Sequence, residues 1–338
     1  MDGHRRAQGG KLRRVAEWFT GRFDEVLECG YYAIMITLLY CPQMEPLARR
    51  IAEADSRFNL GTVQWKAFAD GYPDLWVENM ECMRNSDVAM LASFDSPADI
   101  FPQLSLIYEA PRYGLRSFKV VLPYFPTGTM ERVDRDGRIA TAATLARMLS
   151  VVPMTISGAS QILIYDIHAL QERFYFSDQV IPRLETALPL VKREIARLDD
   201  PIVVFPDDGA SKRFGRIFDE FDQAVCMKKR EDGARTIFLR EGDPAGRHAV
   251  IIDDLVQSGS TLIAAKDMLT RSGAERVSAY VTHGVFPNQS WRRFLDAGFE
   301  TFWLTDSCPR AIREIEGTPP FQVLSLADSI RTILIADM

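Results

Sequence analysis

Apolar runs of strand length alternate along this chain with apolar positions at helical spacing, from Ile34 almost to the C-terminus. The pattern predicts a strand over residues 32–39, a helix over 44–54, a strand-like stretch over 63–68, strands over 88–92 and 117–122, and a helix over 140–149. A second series of the same kind begins at Gln161. Strands that alternate with helices imply a parallel sheet covered on its faces, so the expected fold is α/β. ILIYDIHAL at 162–170 and VIIDDLVQS at 250–258 are both apolar runs followed by acids, a weak echo that duplication of one α/β unit would explain. The pattern changes near 178–185, where a long helix over 184–198 is expected. The predicted organisation is therefore an N-terminal α/β domain over 31–182 and a C-terminal one over 183–338. Residues 1–30 form an extension, with an amphipathic helix on Leu12, Val15, Trp18, Phe19, Phe23 and Val26.

The most informative stretch is 250–262. Val250, Ile251 and Ile252 suit a central parallel strand, which places Asp253 and Asp254 at its carboxyl end, where open α/β sheets bind ligands. Gln257, Ser258, Gly259, Ser260 and Thr261 then form a small-residue loop, and Leu262, Ala265 and Leu269 mark a helix starting there. Backbone N–H groups at such a helix start bind anions, and nearby carboxylates accept from vicinal hydroxyls. A sugar phosphate has both groups. A Walker loop is excluded, because no lysine follows the glycine.

Composition narrows the setting. The chain has 338 residues, 47% apolar and 25% charged, which is globular and long enough for two domains. A net charge of −6 gives no general attraction to nucleic acid, so no nucleic-acid partner is expected and phosphorylated substrates require local cations or metal. Five scattered cysteines without a CxxC suit a reducing compartment, and all are expected to be packing residues. The apolar run 31–41 is half of the roughly 20 residues needed to span a bilayer. Five acids among the first thirty residues argue against a transit peptide. A cytoplasmic protein without membrane association is expected. The sequon at Asn288 is read as accidental.

Four further stretches bear polar chemistry. In FADGYPDLWVEN, Phe68 and Asp70 sit at a turn where they could stack on and bond a purine, although a plain hairpin tip has the same composition. In YDIHALQERF, His168 follows a strand, either as a metal or phosphate ligand or as a hydrogen-bonded core histidine. In IVVFPDDGASK, Asp207 and Asp208 follow another strand and are hard oxygen ligands of the kind Mg²⁺ prefers. In MKKREDGAR, Lys228 and Arg230 belong to a cationic loop after a strand over 224–227, which is either a solvated face or the charge-neutralising device that phosphoryl transfer requires.

In order and spacing these motifs, with THGVF at 282–286, resemble the ribose-phosphate diphosphokinases (PRPP synthetases) over 34–334. PYFPTGT at 123–129 and IYDIHALQERFYF look most like the class II enzymes of plants. The resemblance implies two similar phosphoribosyltransferase-type domains, an active site between them, and a homo-oligomer with the site near a dimer interface. It further implies transfer of the diphosphoryl group of Mg-ATP to the 1-hydroxyl of ribose 5-phosphate, giving PRPP and AMP for nucleotide biosynthesis. Phe68 and Asp70 match the adenine loop, His168 and Asp207 the Mg²⁺-associated pair, Lys228 and Arg230 the flexible catalytic loop, and Asp253 to Thr261 the ribose 5-phosphate site. Two departures separate the chain from class I: Tyr72 replaces an acid, and FPTGTMER at 125–132 replaces an arginine-rich segment. A non-catalytic regulatory subunit and a type I phosphoribosyltransferase are the rival readings. Lys228 and Arg230 speak against the first, and the lack of a recognisable nucleobase hood against the second.

Overall fold

A computed structural model describes residues 35–231 and 234–336, with the side chains of 228–236 outside the description. The N-terminal helix expected over 12–26, Cys29 and the start of the first expected strand lie outside the described residues. In the first half the strands are β1 (Ile36–Tyr40), β2 (Phe58–Leu60), β3 (Val63–Ala67), β4 (Pro73–Val77), β5 (Asp87–Leu91), β6 (Ser117–Val121), β7 (Ser160–Tyr165) and β8 (Val180–Glu185). In the second half they are β9 (Pro201–Phe205), β10 (Asp222–Glu231), β11 (Ala234–Glu241), β12 (His248–Val256), β13 (Arg276–Gly284), β14 (Phe302–Thr305) and β15 (Phe321–Leu324).

The first sheet has the order β2-β1-β5-β6-β7-β8, all parallel. The second has the order β11-β10-β9-β12-β13-β14-β15, parallel except for the β10/β11 pair. With β11 set aside, the two orders are the same when strands are counted from the start of each sheet. The fold is thus α/β with two like sheets flanked by helices, of phosphoribosyltransferase type, and the weak sequence echo has a topological counterpart. β3 and β4 form a separate antiparallel hairpin.

Burial follows the sequence pattern. Val250, Ile251 and Ile252 are fully buried, as a strand covered on both faces requires. One core packs both faces of the first sheet, and two clusters cover the second. Leu326, Ile330 and Leu334, which precede or lie on the C-terminal helix Ala327–Ala336, join the first core, so the chain returns to its first half.

Two local readings need correction. The helix expected over 184–198 starts later and is shorter, Leu188–Ile195 with Pro189 in its first turn, and Leu184 and Glu185 instead close strand β8. β8 is an edge strand, where the missing N–H of Pro182 costs little. The reading of every cysteine as a packing residue also fails: Cys41, Cys226 and Cys308 are free and buried, whereas the half-buried Cys82 is disulfide-bonded. Among the described residues no helix is long and apolar enough to cross a membrane.

Candidate active site

The strand order of the second sheet reverses between β9 and β12, which opens a crevice at their carboxyl ends. Asp207 stands just past β9 as the N-cap of helix Asp208–Phe214, and its Oδ1 accepts from Ala210 N at 3.0 Å. β12 extends to Val256 because Leu255 and Val256 pair with His283 and Gly284 of β13, so Asp253 and Asp254 lie inside the strand and not at its end. The loop then turns at Gly259, whose φ is +77°, into helix Ser260–Arg271. A Cβ on Gly259 would lie 2.3 Å from Phe294 Cζ, so both the turn and the packing demand glycine.

The loop has a cation beside it that sequence reasoning missed. Arg293 Nη1 donates to Ser258 O at 2.6 Å and to Ser260 Oγ at 3.2 Å. Ser258 and Ser260 exchange a hydroxyl contact of 3.1 Å, and Ser290 Oγ donates to Gln257 O at 2.6 Å. Gln257, Ser258 and Ser260 are exposed, and Thr261 is half-buried. Backbone N–H groups, hydroxyls and a guanidinium converge here, a combination suited to a phosphate.

The two halves meet through polar contacts. His168 Nδ1 donates to Asp254 Oδ2 at 2.8 Å, and Arg213 Nη1 donates to the same oxygen at 2.9 Å and to His168 O at 3.0 Å. Asp254 is buried, and its hydrogen bond holds the His168 pKa above the ordinary imidazole value. Thr282 Oγ1 donates to Asp166 Oδ2 at 2.7 Å, and His283 Nε2 donates to Tyr165 O at 3.0 Å. Burial lowers the pKa of His283, a packed strut with both ring nitrogens bonded. Arg213 gave no signal in sequence beyond a charge on a helix.

Glu172 was also missed. It is fully buried; Oε1 accepts from Ala169 N at 3.1 Å, and Oε2 has no hydrogen-bond partner. Burial pushes its carboxyl up to about 7. Gly128, in the loop of the PTGT segment, packs against both Glu172 and His168, since a Cβ there would be 3.5 Å from Glu172 Oε1 and from His168 Cβ. A cavity of about 400 Å³ lined by Thr129, Glu131, Arg132, Asp134, Arg138 and His168 opens beside it.

Phe68 and Asp70 occupy the tip of the β3/β4 hairpin. Phe68 is 56% exposed, Asp70 Oδ1 accepts from Tyr72 N at 3.1 Å, and Phe68 N donates to Tyr72 O at 2.8 Å, bonds that stay within the hairpin. Lys228 and Arg230 lie on β10, not in a loop, opposite Ile237 and Arg235 of β11; their side chains lie outside the description. The structure therefore brings together His168, Asp254 and Arg213. It places Asp207 and the 257–261 loop on the same sheet ends, and leaves Phe68 and Asp70 on a separate hairpin.

Residues 36–152 match the family described as the N-terminal domain of ribose phosphate pyrophosphokinase, and residues 223–335 the phosphoribosyl synthetase-associated domain. The chain is 50% identical to ribose-phosphate pyrophosphokinase 4 of Arabidopsis thaliana over 308 residues, 88% of this chain and 91% of that protein. This chain belongs to the ribose-phosphate pyrophosphokinase family. A ribose-phosphate pyrophosphokinase of Pasteurella multocida is 30% identical over 85% of this chain and 92% of its own length. The crystal structure of phosphoribosylpyrophosphate synthetase from Mycobacterium smegmatis superposes with a TM-score of 0.76 at 23% identity, covering 90% of this chain and 98% of that one, so the two share the fold. Enzymatic activity of this general type follows from membership.

For a family of pyrophosphokinases the question of a metal is immediate. Among the described residues no group of three or more His, Cys, Asp or Glu side chains could hold a metal ion alone. His168 still fits a secondary contribution, because Asp254 engages Nδ1 and orients the ring with Nε2 outward, the usual support of a metal-binding imidazole. Mg²⁺ characteristically takes one or two protein ligands and completes its shell with water and substrate phosphates.

Proposed function

We propose that this chain transfers the diphosphoryl group of Mg-ATP to the 1-hydroxyl of ribose 5-phosphate, giving PRPP and AMP for nucleotide biosynthesis. The observation that carries the reading is the His168–Asp254–Arg213 cluster, set across the two halves on the strand that leads into the 257–261 loop. The acceptor phosphate rests in Ser258 to Thr261, with Arg293 supplying charge, and its sugar hydroxyls face Asp253. The 1-hydroxyl oxygen attacks the β-phosphorus, the bond from that phosphorus to the α,β-bridging oxygen breaks, and its electron pair leaves with AMP. The hydroxyl proton passes to solvent. No covalent intermediate is required; positioning and charge neutralisation lower the barrier.

His168 and Asp207 are the residues that would contact Mg²⁺, which when bound neutralises charge on the nucleotide phosphates. Lys228 and Arg230 would neutralise charge on the transferred group from the β10/β11 ribbon. Phe68 and Asp70 serve adenine, across a homodimer contact. Exposed Phe68, Tyr72 and Trp76 on one hairpin favour that assembly, because contiguous apolar surface is commonly covered by a partner. Production of AMP and PRPP from ATP and ribose 5-phosphate, dependent on Mg²⁺, tests the reaction.

Within the family we assign the chain to class II. The assignment rests on Tyr72 and on 125–132, which supply fewer fixed charges than the class I pattern, and is supported by greater identity to the plant protein than to the bacterial one. Activity in phosphate-free buffer with ATP, dATP, GTP and CTP all used is the expected result. An absolute phosphate requirement with strict ATP dependence would withdraw the subclass and leave the reaction.

A further inference from the structure

The peptide unit between His168 and Ala169 is held at both of its polar atoms. Its carbonyl oxygen, that of His168, accepts from Arg213 Nη1 at 3.0 Å, and its N–H, that of Ala169, donates to Glu172 Oε1 at 3.1 Å. With Asp254 on Nδ1 at 2.8 Å, the imidazole and the backbone that carries it are fixed from three directions. Arg213 and Asp254 belong to the second half of the chain. Glu172 belongs to the first, in the 3₁₀ turn Leu170–Tyr175 that follows His168 directly.

A glutamate in the first turn of a helix commonly reaches back to the backbone N–H before it, and such a side chain is ordinarily solvated. Glu172 is fully buried, and its Oε2 has no hydrogen-bond partner. An unpaired buried oxygen weakens the fold, and an apolar side chain of similar shape would avoid that loss. Stability therefore gives no account of a carboxyl at this place. Backbone strain gathers beside it. Asp166 has φ of +35° and Thr127 of +65°, in the left-handed region that non-glycine residues seldom occupy. The first stands two residues before His168. The second immediately precedes Gly128, which packs against both Glu172 and His168. Strain of this kind persists where the surroundings over-determine the backbone, and it clusters at functional sites.

We propose that Glu172 is a positioning residue for the reaction: by accepting from Ala169 N it fixes the 168–169 peptide and, through it, the outward-facing Nε2 of His168. The bond needs an acceptor and not a charge, so glutamine can serve in its place. The inference rests on the assignment of His168 to the reaction. A misplacement of about 1 Å can cost about 100-fold in rate, and losing one of three restraints is expected to cost about tenfold in kcat.

The test compares Glu172→Met and Glu172→Gln with the wild type. Methionine fills a similar volume without a side-chain oxygen to accept the bond. Glu172→Met is expected to have a denaturant midpoint at neutral pH no lower than the wild type's and to bind ribose 5-phosphate unchanged in calorimetric titration. Its kcat should fall about tenfold with a smaller change in KM, whereas Glu172→Gln keeps kcat within about twofold. Nitrogen NMR reads the ring without turnover: the neutral His168 carries its proton on Nδ1 in the wild type and in Glu172→Gln, and its two tautomers mix in Glu172→Met. If the methionine variant fails to fold, Glu172→Ala, which cannot overpack, carries the same comparison. Wild-type kcat in Glu172→Met, or equal losses in Glu172→Met and Glu172→Gln, overturns the proposal. Wild-type kcat in His168→Ala would instead overturn the reading of the site itself, and the role of Glu172 with it.

Discussion

His168 Nδ1 and Asp254 Oδ2 stand 2.8 Å apart, although 86 residues separate them in the chain and one follows β7 of the first sheet while the other lies in β12 of the second. The pair fixes the imidazole over the second sheet, and Arg213 on the same carboxylate oxygen balances its charge. Removing Asp254 leaves Arg213 half-buried without its anion. Asp254→Ala is expected to cost about 3 kcal/mol in stability, the scale of breaking a buried ion pair. His168→Ala, which deletes an exposed ring, is expected to cost less than about 1 kcal/mol while still lowering turnover strongly. Denaturant unfolding of both variants beside their kcat values checks the contrast; equal stability losses would contradict it.

Glu172 gives a pH signature. Its carboxyl ordinarily titrates near 4.5 and is pushed up to about 7 in the fold, by burial first, then Glu131, with His168 and Arg213 opposing. Between these values the folded chain holds a proton that the unfolded chain has released. Stability from this group is therefore full below about 4.5 and is lost as pH rises through 7, on the order of 3 kcal/mol at most. Glu172→Gln lacks the slope. Measured by denaturant midpoint, the variant should gain on the wild type between pH 5 and pH 8; parallel curves would refute the assignment.

Gly259 is constrained twice, by φ of +77° and by Phe294. Gly259→Ala is expected to lose about 2–4 kcal/mol from strain and overpacking together. It should weaken ribose 5-phosphate at least tenfold while ATP binding holds. Titration with each ligand separates a local effect at the loop from general unfolding, which would weaken both.

Lys228 is expected to act on the transition state more than on substrate binding. Lys228→Ala should lower kcat by at least about 100-fold, the effect of removing one preorganised electrostatic group, with a smaller change in KM. Wild-type kcat in this variant would remove the β10/β11 ribbon from the mechanism.

What could be read in advance follows from how local the signal is. Val250 to Ile252 announced β12, Gly259 its turn and Leu262, Ala265 and Leu269 the helix, because each depends on neighbours within one or two turns of chain. The helix was expected to start four residues early, at Leu184, because Leu184, Leu188 and Val191 suit a helical period, whereas Leu184 and Glu185 close β8. Lys228 and Arg230 read as loop because the unbroken charge run at 228–232 looks like a solvated turn; only the pairing of β10 with β11 distinguishes it. Arg213, Arg293 and Glu172 were illegible for another reason. Their roles arise from contacts with residues 33 or more positions away, or, for Glu172, from burial beneath Gly128, and neither leaves a trace in local pattern.

The most direct measurement follows the fate of ATP when the purified chain is incubated with ATP, ribose 5-phosphate and Mg²⁺, with nucleotides and sugar phosphates quantified together. Diphosphoryl transfer predicts AMP and PRPP appearing one for one, no ADP, and no turnover without ribose 5-phosphate. Formation of ADP, or the absence of PRPP from a folded protein that binds both substrates, would contradict the account.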